Sequence, residues 1–577
     1  MKVIKEFLLT HKLSYFIGIL FMLATSYIQT LFPKVLGQTI DILTHKGFSF
    51  YSVRLNILYI MLIAIGAFIT TYIWRNLVIG NARKLECYLR EKLFQHFQLL
   101  TLEFYNKRKT GDLIAYAIND VSAVRMTFGP ATAMTINGIV ICLISIYSMT
   151  KAINLKMTLL SLIPIPLILF FMINIGKLVQ KRFKRVQECF AAISGKVSEN
   201  INGIRVIKAY VQEEAEVQDF ERLNDDMQKA NLDMVKISSF LSPLLELCFS
   251  VSFVLNLIIG GQMVIDHTIS LGDFIAFNGY LTMIMTPVIS IGRVITIIQR
   301  GMASLIRIDE IMETTAAVKD GTEALDMKIE GSISFKNLSF TYPNANSPSL
   351  RNINLNINKG MTVGIVGKTG SGKTTLASLI LKQYNVDEEN ILIDNKKIKY
   401  YTMSALREAV GYVPQETFLF QASVSDNIAF FNDSYKKEDI EEAARNSCIY
   451  DSIITFPKGF ETLLGERGVN LSGGQKQRTT IARAIVKNPP ILILDDSLSA
   501  VDTVTEAKLL ANLRNIRKDK TTLIIAHRLS SVEACDLIIV LDEGKIIERG
   551  SHEELLAIGG IYYEIYKEQY KNTNRAS

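Results

Sequence analysis

Cysteine is scarce and scattered in this 577-residue chain. Cys87, Cys142, Cys189, Cys248, Cys448 and Cys535 form no C-x-x-C pair and cluster with no histidine. Neither a disulfide framework nor a zinc site is expected from that pattern. No small-residue cleavage site closes the first long apolar run, Leu13 to Phe32, so a removable signal peptide is not expected either. The connection from Gly261 to Gly272 holds no lysine or arginine, and no internal repeat is present.

Long apolar runs are what the sequence has in quantity. Five follow the first, at roughly 55–79, 130–152, 157–176, 240–265 and 274–298, each near the ~20 residues a helix needs to cross a bilayer. Mean hydropathy is +0.23, yet the chain carries 63 basic and 56 acidic side chains. That mixture fits a membrane half joined to a soluble half, and the length alone asks for at least two domains. The expected fold is multidomain. An all-α, six-helix transmembrane domain spans 1–312, a polar linker 313–330, and an α/β domain with alternating strands and helices 331–577.

The net charge of +7 needs no nucleic acid to explain it. Arg83, Lys84, Arg90, Lys92, Lys107, Arg108 and Lys109 lie between the second and third runs. Lys177, Lys181, Arg182, Lys184, Arg185, Lys196, Arg205 and Lys208 lie between the fourth and fifth. Basic segments stay on the cytoplasmic side, so both segments and both termini are expected there, in a multi-pass protein of the cell membrane. Each basic segment is long enough for a pair of helices reaching tens of ångströms beyond the lipid, at ~1.5 Å per residue. Bends are expected near Thr110-Gly111-Asp112 and near Asn202-Gly203, either as a solvated hairpin tip or as a contact that transmits motion.

The soluble half carries the chemistry. Gly367-Lys368-Thr369-Gly370-Ser371-Gly372-Lys373-Thr374-Thr375 fits G-x-x-x-x-G-K-[ST]. It follows a strand-like run, Met361 to Val366, and precedes a helix-like one, Leu376 to Lys382. Glycines let backbone N–H groups curl around phosphate oxygens, and a helix N-terminus adds a favourable dipole. Lys373 would reach the β- and γ-phosphates of a nucleoside triphosphate, and Thr374 would ligate Mg²⁺. Tyr342 stands about 25 residues upstream, where its ring would stack on a base. Gln415, in Tyr412-Val413-Pro414-Gln415, offers an amide to Mg²⁺ or the γ-phosphate. Leu471-Ser472-Gly473-Gly474-Gln475 is a second glycine-rich, helix-opening anion site. Ile491 to Asp495 reads as a buried strand ending in an acid that would hold Mg²⁺. Leu523 to His527 reads as another strand, ending in a histidine directed at the γ-phosphate.

In this order the motifs resemble the nucleotide-binding domain of an ABC transporter. With six spans in the same chain, the whole resembles an exporter whose subunit carries one membrane half and one ATPase. Thr110 to Leu113 and Asn200 to Lys208 are similar to that family's coupling segments, and Thr462 to Gly468 to a loop that marks exporters. The resemblance implies ATP and Mg²⁺ as cofactors. It also implies an obligate dimer in which Ser472 to Gln475 of one chain close over ATP on the partner's phosphate loop. Only one phosphate loop occurs here, so the chain is half of something two-fold. An importer or a peptidase-bearing bacteriocin exporter is not expected, while an ATP-gated channel shares every motif.

One position departs from the family. Asp496 stands where its competent sites carry glutamate, the carboxylate that orients and deprotonates the attacking water. Aspartate is one methylene shorter, which withdraws the carboxylate by ~1.5 Å, and misplacement on that scale costs about 10²-fold in rate. Asp496 serves either as a modest base or as the mark of an impaired site within a heterodimer. The resemblance to heterodimeric multidrug exporters favours the second, with a second half-transporter as partner and a small hydrophobic or amphipathic substrate. A homodimeric lipid or peptide exporter is the alternative. In the membrane half, Glu246 is expected to face a cavity, a partner or interfacial water. Met283 and Met285 serve either a drug-binding wall or plain packing.

Overall fold

The computed structural model describes residues 2–44, 49–343, 345–386 and 389–573. They fall into two units, Met1–Gln98 with Thr110–Thr314, and Leu99–Lys109 with Thr315–Ser577.

The first unit is helical. Among the described residues, six helices are long and apolar enough to cross a membrane: α1 (Lys12–Thr44), α2 (Phe50–Leu99), α3 (Thr110–Lys151), α4 (Leu155–Asn202), α5 (Glu213–Ile265) and α6 (Leu271–Glu313). Each contains one of the apolar runs read from the sequence. None of the most apolar window of α2 is buried, and at most 33% of any other. So much uncovered apolar surface is stable only against lipid or another chain.

Polar pins fix the helices where apolar contact alone would let them slide. Asp41 of α1 accepts from Ser270 Oγ and from the Gly272 backbone N–H, both at 2.6 Å, at the opening of α6. That contact needs glycine on both sides, because a Cβ at Gly37 would meet the Gly272 carbonyl and one at Gly272 would meet the Gly37 oxygen. Farther along, buried Asp120 of α3 accepts from Ser304 Oγ at 2.8 Å and pairs with Arg307 of α6. Asn256 of α5 donates to Asn278 of α6 at 2.7 Å. Glu246 lies exposed on α5.

The two bends differ in detail. Gly203 interrupts the path from α4 to a short helix, Ile204–Ala209, as the sequence suggests. The other break is earlier than expected. Thr110, Gly111 and Asp112 open α3, and the chain turns over 100–109, which holds the five-residue helix Leu102–Asn106. That helix belongs to the second unit, where Asn106 Nδ2 donates to the Tyr384 hydroxyl at 3.2 Å.

The second unit is α/β. A four-stranded antiparallel sheet has the order β2-β1-β4-β5, with β1 (Ile333–Phe340), β2 (Leu350–Ile357), β4 (Ile391–Ile393) and β5 (Lys396–Lys397). A six-stranded sheet has the order β10-β9-β3-β8-β7-β6. Its members are β3 (Thr362–Gly367), β6 (Val410–Val413), β7 (Ile491–Asp495), β8 (Thr521–Ile525), β9 (Leu537–Asp542) and β10 (Lys545–Gly550). All pairings from β9 through β6 are parallel. Strands covered on both faces read as unbroken apolar runs rather than alternating ones, and Ile491, Leu492, Ile493 and Leu494 of β7 are each at most 1% exposed. Burying each such side chain is worth about 1.5–3 kcal/mol. Parallel strands also deliver their carboxyl ends to one edge, where ligands bind in open α/β sheets.

Candidate nucleotide site

Four of those carboxyl ends converge. The chain leaves β3 into Gly367 to Gly372 and enters α7 (Lys373–Ile380), so the helix opens at the lysine, three residues earlier than the sequence suggests. Gly367, Gly370 and Gly372 have φ of +153°, +82° and +101°, which side chains with a Cβ rarely tolerate. A Cβ at Gly367 would also strike the Leu541 carbonyl, and one at Gly372 the Ser349 carbonyl at 2.8 Å. The loop therefore curls with its N–H groups free of side chains.

Lys373 lies inside that curl. Its Nζ donates to the carbonyls of Gly367 and Lys368, both at 2.8 Å. Burial pushes its pKa below the usual lysine value, with Asp496 and Asp495 opposing the shift. The ammonium thus holds weak neutral acceptors where a phosphate would offer charged ones. Ser371 Oγ is buried and has no hydrogen-bond partner among the described residues. An orphaned hydroxyl, a desolvated ammonium and a helix N-terminus in one loop fit a polyphosphate.

Asp495, at the end of β7, is buried and receives two hydroxyls. Thr374 Oγ1 donates to Oδ1 at 3.0 Å, and the Tyr412 hydroxyl to Oδ2 at 3.2 Å. Burial raises the carboxyl pKa, and the two hydroxyls pull it back. Burial and the Asp495 charge together raise that of Tyr412, so its proton stays. A buried carboxylate next to a threonine hydroxyl has the hard oxygen donors that Mg²⁺ prefers.

Asp496 begins the turn after β7 in the left-handed region, with φ of +46°. Its N–H donates to the Ile525 carbonyl at 2.8 Å. Gln415 Nε2, after β6, donates to Asp496 Oδ2 at 3.3 Å. Tyr342 donates its hydroxyl to Thr375 Oγ1 at 3.0 Å, and its ring packs edge-on against Phe340 and Tyr384. Phosphate loop, Tyr342, Gln415, Asp495 and Asp496 are thus one constellation.

The remaining site residues stand apart. β8 ends at Ile525, two residues before His527, which lies exposed in the following loop rather than closing the strand. Its carbonyl accepts from Gln569 at 2.8 Å. Ser472 caps α8 (Gly473–Val486) in a reciprocal box with Gln475, at 3.3 and 3.0 Å. No hydrogen bond joins Ser472, Gly473, Gly474 or Gln475 to the phosphate loop among the described residues. What links α8 to the constellation is Gln477, which sequence reasoning missed. Buried, it donates to Ser499 Oγ at 3.2 Å and accepts from the Ala500 N–H at 2.9 Å, on the turn that Asp496 begins. Gly474 is required there, since a Cβ would come within 2.8 Å of the Ala500 oxygen. Tyr412 was missed as well, because in a strand it reads as core.

Comparison with known proteins covers both units. Residues 15–288 match the family model "ABC transporter transmembrane region", and 350–499 match "ABC transporter". The chain is 39% identical over 562 residues to a probable multidrug resistance ABC transporter ATP-binding/permease protein of Bacillus subtilis, YheI, covering 96% of this chain and 95% of that one. It is 34% identical to the multidrug resistance-like ATP-binding protein MdlA of Escherichia coli, over 94% and 92% of the two chains. An ATP-dependent lipid A-core flippase of Salmonella typhimurium is 33% identical over 90% and 89%. Among solved structures, a bacterial Atm1-family ABC exporter with ATP bound superposes with a TM-score of 0.80 at 26% identity, over 97% and 99% of the chains.

Proposed function

This chain belongs to the ABC transporter family, as an exporter-type half-transporter with membrane and ATP-binding regions on one polypeptide, and from that premise we propose how its site works and with what partner. It is a membrane protein and an ATPase coupled to transport. Its membrane domain is residues 1–312, joined by 313–330 to an ATPase domain at 331–577. Termini and ATPase face the cytoplasm, which the basic segments between spans support. Its substrate is a hydrophobic or amphipathic molecule, a drug rather than a lipid. The relatives support that choice in part: YheI and MdlA carry multidrug names, though flippases are also similar.

ATP is the substrate of the ATPase half. Lys373 exchanges the carbonyls of Gly367 and Lys368 for phosphate oxygens, and Gly367 to Thr375 wrap the phosphates with backbone N–H groups. Tyr342 supports the base. Mg²⁺, when bound, neutralises charge on the phosphates, and Thr374, Asp495 and Gln415 are the residues to hold it. Asp496 accepts the proton of the attacking water, with Gln415 beside it and His527 reaching the γ-phosphate. Ser472, Gly473, Gly474 and Gln475 serve ATP on the partner chain.

The observation that carries the rest is Asp496 itself. It is one methylene too short for a well-placed base, and its backbone is held by Ile525 in the left-handed region. Its own site is therefore impaired, while the intact Ser472 to Gln475 completes a competent site on a partner with glutamate at the matching position. The functional unit is a heterodimer. Asp496→Asn should change ATP turnover of the assembled pair by less than about twofold, whereas altering Ser472 should nearly abolish it. Equal losses from both changes would point to a homodimer with two working sites.

A further inference from the structure

The membrane unit carries an open groove between two of its spans, apart from the residues assigned to ATP. It lies between α1 and α2 and measures about 450 Å³, within the ~300–1,000 Å³ range of ligand pockets. Its walls are apolar, from Leu31 and Val35 on one helix to Leu62 and Ile63 on the other. Lys34 and Gln38, one turn apart on α1, line it too, at the level of Tyr59. Ile28 and Gly66 lie at the opposite end. A Cβ on Gly66 would meet only the Ile28 side chain, at 3.7 Å, which fixes the register of the antiparallel pair. From Lys34 to Ile28 the groove descends about 9 Å, at ~1.5 Å per residue.

Depth and charge set the occupant. Lys34 follows the apolar run 13–32 by two residues, and a lysine there can lay its stem along apolar surface and carry its ammonium up to the headgroups. It has no hydrogen-bond or ion-pair partner among the described residues. Asp41 is the one acid between residues 12 and 74, and Ser270 and Gly272 occupy both its oxygens. A cation and an amide above an apolar channel, with no acid to neutralise them, match a phosphate headgroup above an acyl chain. We propose that this groove binds an anionic phospholipid of the leaflet at the α1–α2 connection, its phosphate on Lys34 and Gln38 and its chain running down toward Ile28 and Gly66. On the topology proposed above, that leaflet is the outer one. The inference needs six spans but no heterodimer, so the two stand or fall separately.

Native mass spectrometry of the full-length transporter, with phosphatidylglycerol or phosphatidylcholine added to the detergent, tests it. The unaltered protein should retain phosphatidylglycerol in preference. Lys34→Gln should lower that retention about fivefold, as expected for one interfacial lysine, and leave phosphatidylcholine unchanged. Gly66→Leu should lower it as well with Lys34 intact, because the new side chain fills the groove from an exposed helix. Lys34 is exposed and Gly66 has room for a Cβ, so both variants should fold. Unchanged phosphatidylglycerol retention in both variants, or equal loss of both lipids in Lys34→Gln, overturns the proposal. So does a photoreactive label on Gly66→Cys that captures polypeptide instead of lipid.

Discussion

Lys373 spends its charge on two carbonyls of its own loop, and that is where the site is most open to test. Lys373→Ala should weaken ATP binding by at least about tenfold, the scale of a charged hydrogen bond lost from a phosphate. The fold should stay intact, because the residue opens a helix rather than filling a core. Titration with a fluorescent nucleotide measures this, and an unchanged affinity would remove Lys373 from the phosphates. Tyr412 gives a second test. Its hydroxyl orients Asp495 from the side opposite Thr374, so Tyr412→Phe should cost about 1 kcal/mol of stability. It should also raise the Mg²⁺ concentration needed for nucleotide binding several-fold, while binding in excess chelator stays the same. A magnesium requirement identical to that of the unaltered chain would leave Tyr412 a core residue only.

Glycine decides how closely elements approach, and its consequences were only partly legible in the sequence. The phosphate loop could be read because its spacing encodes one backbone shape, and the structure bears that shape out at Gly367, Gly370 and Gly372. The Gly37–Gly272 contact could not, since 235 positions separate the partners and neither lies in a motif. Gly37→Leu should force α1 from α6 and break the Asp41 pin, costing about 1–3 kcal/mol as overpacking does. Thermal unfolding in detergent reports it, and an unaltered midpoint would mean the helices are held elsewhere. The same distinction explains the other misses. Gln477 and Asn106 work through partners that only folding brings near, whereas apolar runs and catalytic motifs are local. The first bend was misplaced because Gly111 suggests a turn, while the chain turns earlier, at the helix Leu102–Asn106.

At the scale of the whole molecule, the apolar helices need lipid or protein against them, and in the proposed dimer Ser472 to Gln475 meet ATP held by the partner chain. Topology can be checked first. Cysteine labels at 265–267 should react from outside the cell, and labels at 107–109 only after permeabilisation; the reverse pattern would invert the orientation. The proposed partnership rests on Asp496, whose short side chain would serve this chain's own ATP, while the intact Ser472 to Gln475 would serve the partner's. The deciding measurement is the ATPase rate of this chain purified alone against its rate when assembled with a half-transporter carrying glutamate after its own strand-terminal aspartate. Slow turnover alone, restored by at least about 10²-fold on assembly, is the outcome expected of an impaired site completed in trans. Fast hydrolysis by the pure homodimer would show that Asp496 is base enough and that no second chain is needed.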